Sequence, residues 1–230
     1  HYVANDKGSS INYRKELTIL RNRALTAYAD KGESFIVWNP AKQELKINEC
    51  YTIQRDGTRV EMNPMGYVEQ LPSNCENCDG YNHLREMAIV HCGMEYGCTI
   101  VLDYTITNLE SNNLSDCLII PQDCPVKKYE IIIDAEGVAK DNLKVNAVLD
   151  VTGCPKSSYQ SVSDNHTYHI VFSNVQQQHN DYYMPNVKEF SPMVVFSTAS
   201  AISTPIFSFE PIKEAEDLIA TCHNDNPLKF

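Results

Sequence analysis

The sequence predicts an all-β fold, a large antiparallel β-sandwich or saddle-like sheet structure with a short C-terminal helix. Three observations carry this. Apolar and polar side chains alternate with a period of two over several segments, turn residues separate those segments, and helical spacing is confined to the two ends of the chain. Alternation of this kind belongs to antiparallel sheets with one face packed and one wet, because strands of parallel sheets read as continuous apolar runs.

Taken in order, residues 16–28 fit either a helix or a strand, and 16–20 and 35–38 are short strand candidates. Over 44–54, Leu45, Ile47, Tyr51 and Ile53 fall on one face, with Glu44, Lys46, Asn48, Thr52 and Gln54 on the other. That parity puts Cys50 on the polar face, where it suits a bridge or exposure better than core packing. Asp56-Gly57 predicts a two-residue hairpin loop, a turn that needs positive φ at both central positions, leading into a strand at 58–62. Residues 63–81, with Pro64, Gly66, Pro72 and Gly80, read as a long loop.

Beyond that loop, strands are predicted at 88–91, 99–107, 126–134 and 193–196. Ile100, Leu102, Tyr104 and Ile106 share a face, as do Leu143, Val145, Ala147 and Leu149, and again Tyr168, Ile170 and Phe172. Residues 176–186 form a second loop. From Pro211, the spacing of Ile212, Ala215, Ile219 and Cys222 predicts a short amphipathic helix, with acidic residues in its first turn and Pro227 beyond its end. The β region is expected over 1–210, as one domain or as two subdomains meeting near 110–125.

Charge narrows the function classes. Nineteen basic against thirty acidic residues give a net charge of -11, a field that repels a phosphate backbone, so nucleic acid is not an expected partner. No apolar run approaches the roughly 20 residues of a spanning helix. His1 in place of Met predicts a removed leader or a chain cut from a longer one. Nine cysteines are many for a cytosolic protein and predict export with some of them paired. Asn113-Leu114-Ser115 and Asn165-His166-Thr167 match the glycosylation acceptor pattern.

Cys75 and Cys78 are three apart, a spacing that lets two thiolates grip one zinc, and His83 follows closely. The second half of a zinc signature is missing, so a disulfide or plain thiols is the expected state, and Cys75, Cys78 and His83 are the candidates should a metal bind. A cysteine nucleophile needs a helix N-terminus or an adjacent histidine to lower its pKa. Cys222 lies at the wrong end of its helix, and Cys117, Cys124 and Cys154 sit beside strands or in a turn. No glycine-rich phosphate loop, carboxylate dyad or nucleophile elbow is present. No catalytic or cofactor-binding residue is therefore expected.

The stretch from Glu86 to Thr107 joins a strand, a bend carrying Gly93 and Gly97, and a long alternating strand ending in Asp103-Tyr104-Thr105-Ile106. It resembles the β-rich domain of unknown function that precedes transglutaminase-like domains in exported bacterial proteins, especially of the Bacteroides group. Residues 47–62 look like that family's preceding hairpin and 125–133 like its next strand, so the resemblance runs loosely from Arg14 to about Pro211. It implies a downstream transglutaminase-like domain in the same polypeptide, with residues 211–230 as the helix and linker toward it. It also implies a periplasmic or cell-surface location.

The expected function is a non-catalytic β domain that supports, or presents substrate to, a transglutaminase-like, cysteine peptidase-like domain. Its expected contact surface is the 63–81 loop and its surroundings: Tyr67, Glu69, Tyr81 and Trp38. Two alternatives remain open at this level: a stand-alone module binding a protein or glycan through tyrosines and Trp38, and a zinc-binding enzyme using the 75–83 loop.

Overall fold

In the computed structural model of the chain, residues 1–5, 8–31, 34–72, 75, 82–109, 114–136, 143–149, 158–163, 166–178 and 191–198 are described. The expectations for Cys78, Tyr81, Asn113, Cys154, Asn165 and the helix over 211–222 lie outside them. The protein is all-β, with its sheets mostly antiparallel. It divides into two compact units, residues 10–110 and residues 1–9 with 111 onward.

The 10–110 unit holds β2 (Gly8–Thr18), α1 (Asn22–Lys31), β3 (Ser34–Trp38), β4 (Gln43–Ile53), β5 (Arg59–Glu61), β6 (Tyr67–Gln70), β7 (Arg85–Ile89) and β8 (Thr99–Asn108). One sheet runs in the order β2-β8-β4-β5 and a smaller one in the order β3-β7-β6. Ile36 and Trp38 from β3, Ile89 from β7, Cys50 from β4, and Leu102 and Ile106 from β8 form the buried core between the two sheets. The chain at 16–28, undecided between helix and strand, is both: extended to Thr18, then helical from Asn22. Ala24 and Leu25 of α1 cover Ile19, Cys98 and Ile100.

Two features depart from the sequence pattern, and both follow from backbone geometry. In β4, Ile47 pairs with Tyr104 and Glu49 with Asp103, so Asn48 is an extra residue, a β-bulge. A one-residue slip sends every later side chain to the opposite face. Leu45 and Ile47 point to the core before the bulge, and Cys50 does so after it. The reading of Cys50 as a polar-face residue is thereby corrected: it is 7% exposed. Thr52 is fully buried, and its hydroxyl has no hydrogen-bond partner among the described residues. Tyr51 turns to the other face, under the Arg59 guanidinium 3.6 Å from its ring centre.

The hairpin after β4 is also wider than predicted. Gly57 N–H donates to Gln54 C=O, Gln54 N–H donates to Thr58 C=O, and only Gly57 has positive φ, at +89°. Three residues, Arg55 to Gly57, therefore form the loop. This is the hairpin that needs one left-handed glycine rather than two left-handed residues.

The other unit holds β1 (Tyr2–Asn5), β9 (Ser115–Ile119), β10 (Val126–Asp134), β11 (Lys144–Val148), β12 (Ser158–Ser163), β13 (Thr167–Val175) and β14 (Met193–Ser197). Its sheets run β12-β13-β10-β1 and β11-β14-β9. β1 pairs parallel with β10, Tyr2 opposite Ile133, an exception to the antiparallel pattern. The Tyr2 ring meets Phe196 edge-on at 4.7 Å, and its hydroxyl donates to Asp116 at 2.7 Å, so β1 packs across onto β14 and β9. Ile131, Ile133, Ile170, Phe172 and Val194 complete the buried interior. Among the described residues, no helix is long and apolar enough to cross a membrane.

Candidate functional site

The 63–81 segment is not structureless. Asn63 caps a 3-10 turn at Pro64–Gly66 by accepting from Met65 N–H at 2.9 Å, and β6 follows directly. β6 pairs with β7, which turns Tyr67 and Glu69 toward the larger sheet of the unit. Between the two sheets lies an open groove of about 410 Å³. Trp38, Leu45, Ile47 and Met87 give it an apolar floor, Glu69 lines it from β6, and Glu44 borders it at β4, where alternation sends its side chain to the face of Lys46 and Asn48. Trp38 is 6% exposed, so it serves as floor rather than as a protruding platform.

The groove runs along an unpaired edge. β5 pairs with β4 only at Tyr51, Thr52 and Ile53, leaving residues 43–50 of β4 with no strand on that side among the described residues. A strand edge of this kind presents unpaired backbone donors and acceptors to an extended chain. Glu69 makes a 3.6 Å contact with Arg85 in which both side chains are well exposed, and Glu44 has no ion pair among the described residues.

Deeper in the same unit, the bulge brings together a cluster that alternation alone did not reveal. Cys50 Sγ lies 3.8 Å from His91 Nδ1, and His91 Nε2 lies 2.9 Å from the Ser34 hydroxyl. Tyr67 packs against the same core. All three of Ser34, Cys50 and His91 are buried. Burial pushes the Cys50 thiol up to about 11 and the Tyr67 phenol up to about 12. Burial, aided by the charge of Lys15, pushes the His91 imidazole down to about 4. Every member is therefore uncharged at neutral pH. An activated thiol–imidazole pair needs the opposite shifts, with the thiol lowered and the imidazole able to take its proton.

On the opposite face of β2, β8 and β4, Asp103 gathers polar neighbours. Burial raises its pKa, but bonds from Asn48 and Asn12, both at 2.8 Å, and from Arg14 outweigh this and hold the carboxylate below its ordinary value. Arg14 also pairs with Glu49 at 2.7 Å and Glu16 at 3.0 Å. These groups largely satisfy one another.

Of the four residues expected to form a contact surface, Trp38 and Glu69 line the groove, Tyr67 turns inward to Cys50, and Tyr81 lies outside the described residues. Cys75 is half-buried and His83 exposed. No three His, Cys, Asp or Glu side chains among the described residues stand where they could share a metal ion. The Ser34–His91–Cys50 cluster was missed because Asn48 reverses the alternation. The adjacent burial-prone pair Cys50-Tyr51 was the one local sign that parity changes there.

No curated protein matches the chain. The crystal structure of a "putative protease" from Parabacteroides distasonis superimposes with a TM-score of 0.72 and 29% sequence identity, over 87% of this chain and 39% of that one. This chain thus spans well under half of that protein's length. Residues 5–178 match the family described as a domain of unknown function with a solved structure, DUF3857, and that match covers most of the chain. With the strand–bend–strand segment of 86–107 and every strand from β2 to β13 inside the matched span, the chain belongs to the DUF3857 family.

Proposed function

We propose that this chain is a non-catalytic β domain of an exported protein, and that it supports, or presents substrate to, a transglutaminase-like, cysteine peptidase-like domain in the same polypeptide. The observation that carries this reading is the Cys50–His91 contact. The thiol–imidazole pair is buried and held neutral by shifts of the wrong sign for a nucleophile. The open groove beside β4, by contrast, offers a free strand edge and an apolar floor suited to a polypeptide.

The relation to the Parabacteroides protein supports the placement in a longer polypeptide, since 39% of that chain is matched and the rest of it lies outside the match. This is a fold-level association, and the catalytic role sits with the adjoining domain. Hydrolysis of an unfolded protein substrate by the 230-residue chain alone, and by the polypeptide that carries it, tests the reading. Turnover by the longer polypeptide only is the expected result. Turnover by the 230-residue chain that is abolished by Cys50→Ala, in a variant with unchanged circular dichroism, overturns it.

A further inference from the structure

We infer that Cys117 and Met193 form a two-sulfur site for a soft univalent cation, Cu(I), on the face of the β11-β14-β9 sheet that points away from Phe196 and Val194. The site belongs to the other unit from the groove and stands apart from the presenting role proposed above.

Register brings the two side chains together. Asp116 pairs with Phe196 and Leu118 with Val194, and Phe196 and Val194 are fully buried, so alternation sends Cys117 and Met193 to the opposite face. Cys117 stands opposite Val195 and Met193 opposite Ile119, which makes the two sulfur residues diagonal neighbours on adjacent strands. Cys117 Sγ lies 3.8 Å from Met193 Sδ. Cys117 is exposed and Met193 half-buried, so an ion can reach both sulfurs from solvent.

The separation fits one metal ion. With metal–sulfur bonds of about 2.3 Å, donors 3.8 Å apart subtend an angle of about 110° at a shared ion, close to that of a tetrahedral centre. In the structure the thiol donates to the thioether, a weak donor meeting a weak acceptor. Binding replaces that proton: Cys117 releases H+ to solvent, and the cation takes its place between thiolate and thioether with no change of oxidation state. Thiolate with thioether is a soft donor pair, which selects Cu(I) over cations that prefer oxygen or imidazole. Ile119 and Val195, half-buried on the same face, add apolar neighbours and no carboxylate. Among the described residues no His, Asp or Glu joins Cys117 in a group of three that could hold a metal, so Zn(II) finds no complete ligand set there.

The chain has nine cysteines, so the test follows Cys117 itself rather than total copper uptake. The reduced 230-residue chain is held anaerobically at a series of free Cu(I) concentrations set by excess bicinchoninate, and is then alkylated with iodoacetamide. Peptide mass spectrometry reads the labelling rate at Cys117. Saturable protection of Cys117 by Cu(I) is expected. In Met193→Leu, a swap that keeps side-chain volume, the midpoint should move to roughly tenfold higher free Cu(I) at unchanged circular dichroism. Zn(II) at matched free concentrations should leave the labelling rate of the wild-type chain unchanged. No saturable protection by Cu(I), an unmoved midpoint in Met193→Leu, or equal protection by Zn(II) each overturns the inference.

Discussion

The Sγ of Cys50 lies 3.8 Å from Nδ1 of His91, with Ser34 on the far side of the imidazole, and none of the three carries a charge at neutral pH. In outline the group resembles a nucleophilic relay, yet its energetics are those of a satisfied polar core. With the thiol protonated, its S–H is the donor toward Nδ1, which leaves Nε2–H to donate to the Ser34 hydroxyl. Burial sets the electrostatics, because taking a thiolate or an imidazolium out of water disfavours the charged form of each.

Alkylation should therefore separate the cysteines. Cys117 is exposed, whereas Cys50 is buried with its pKa raised to about 11. Iodoacetamide at pH 8, read by peptide mass spectrometry, should label Cys117 roughly a hundredfold faster than Cys50. Comparable rates would mean that the Cys50 thiolate is accessible.

Acid should weaken the fold through His91. The folded pKa of about 4 lies below the ordinary 6.5, so the unfolded chain binds the proton more readily. The stability contributed by neutral His91 is fully present above pH 6.5 and is lost as pH falls toward 4, a loss of about 2 kcal/mol after discounting for solvent screening. Urea unfolding at a series of pH values should show this loss, and His91→Gln should flatten the slope by about one proton between those limits. An unchanged slope in the variant would assign the acid sensitivity elsewhere.

Thr52 should be improvable. Its hydroxyl is buried without a partner among the described residues, and Thr52→Val removes it while keeping the shape, so the variant should gain about 1 kcal/mol in chemical denaturation. A loss of stability would show that the hydroxyl is satisfied.

Two glycines should respond unequally to alanine. Gly57 has φ +89° but open space around the missing Cβ, so the cost there is backbone strain of about 1 kcal/mol. Gly93 has φ +68°, and its Cβ would come within 2.9 Å of Val60, adding a clash to the same strain. Gly93→Ala should therefore lower the melting temperature more than Gly57→Ala; the reverse order would contradict this account.

Much of the architecture was legible because period-two alternation reports directly on half-buried strands: 126–134 appears as β10, 99–107 as most of β8, and 35–38 within β3. Several strands were not. β12 has all six residues exposed, and β6 sits among prolines and glycines, so neither carries the contrast between faces that makes a strand visible. The groove was half legible, because Glu69 could be placed near a contact surface by its loop-like setting. Met87 joins it only through the stacking of two sheets. The Cys50–His91 contact was hidden by one residue: with Asn48 inserted, the parity that places Leu45 inward also places Cys50 inward, and no composition rule announces a bulge.

Steady-state kinetics of the polypeptide that carries this domain, on an unfolded protein substrate, compare wild type with Cys50→Ala and Glu69→Lys. A presenting domain predicts that Cys50→Ala leaves kcat and KM within about twofold, while Glu69→Lys raises KM severalfold at constant kcat, the signature of lost ground-state binding. Collapse of kcat in a folded Cys50→Ala variant, with KM indifferent to Glu69→Lys, would contradict it.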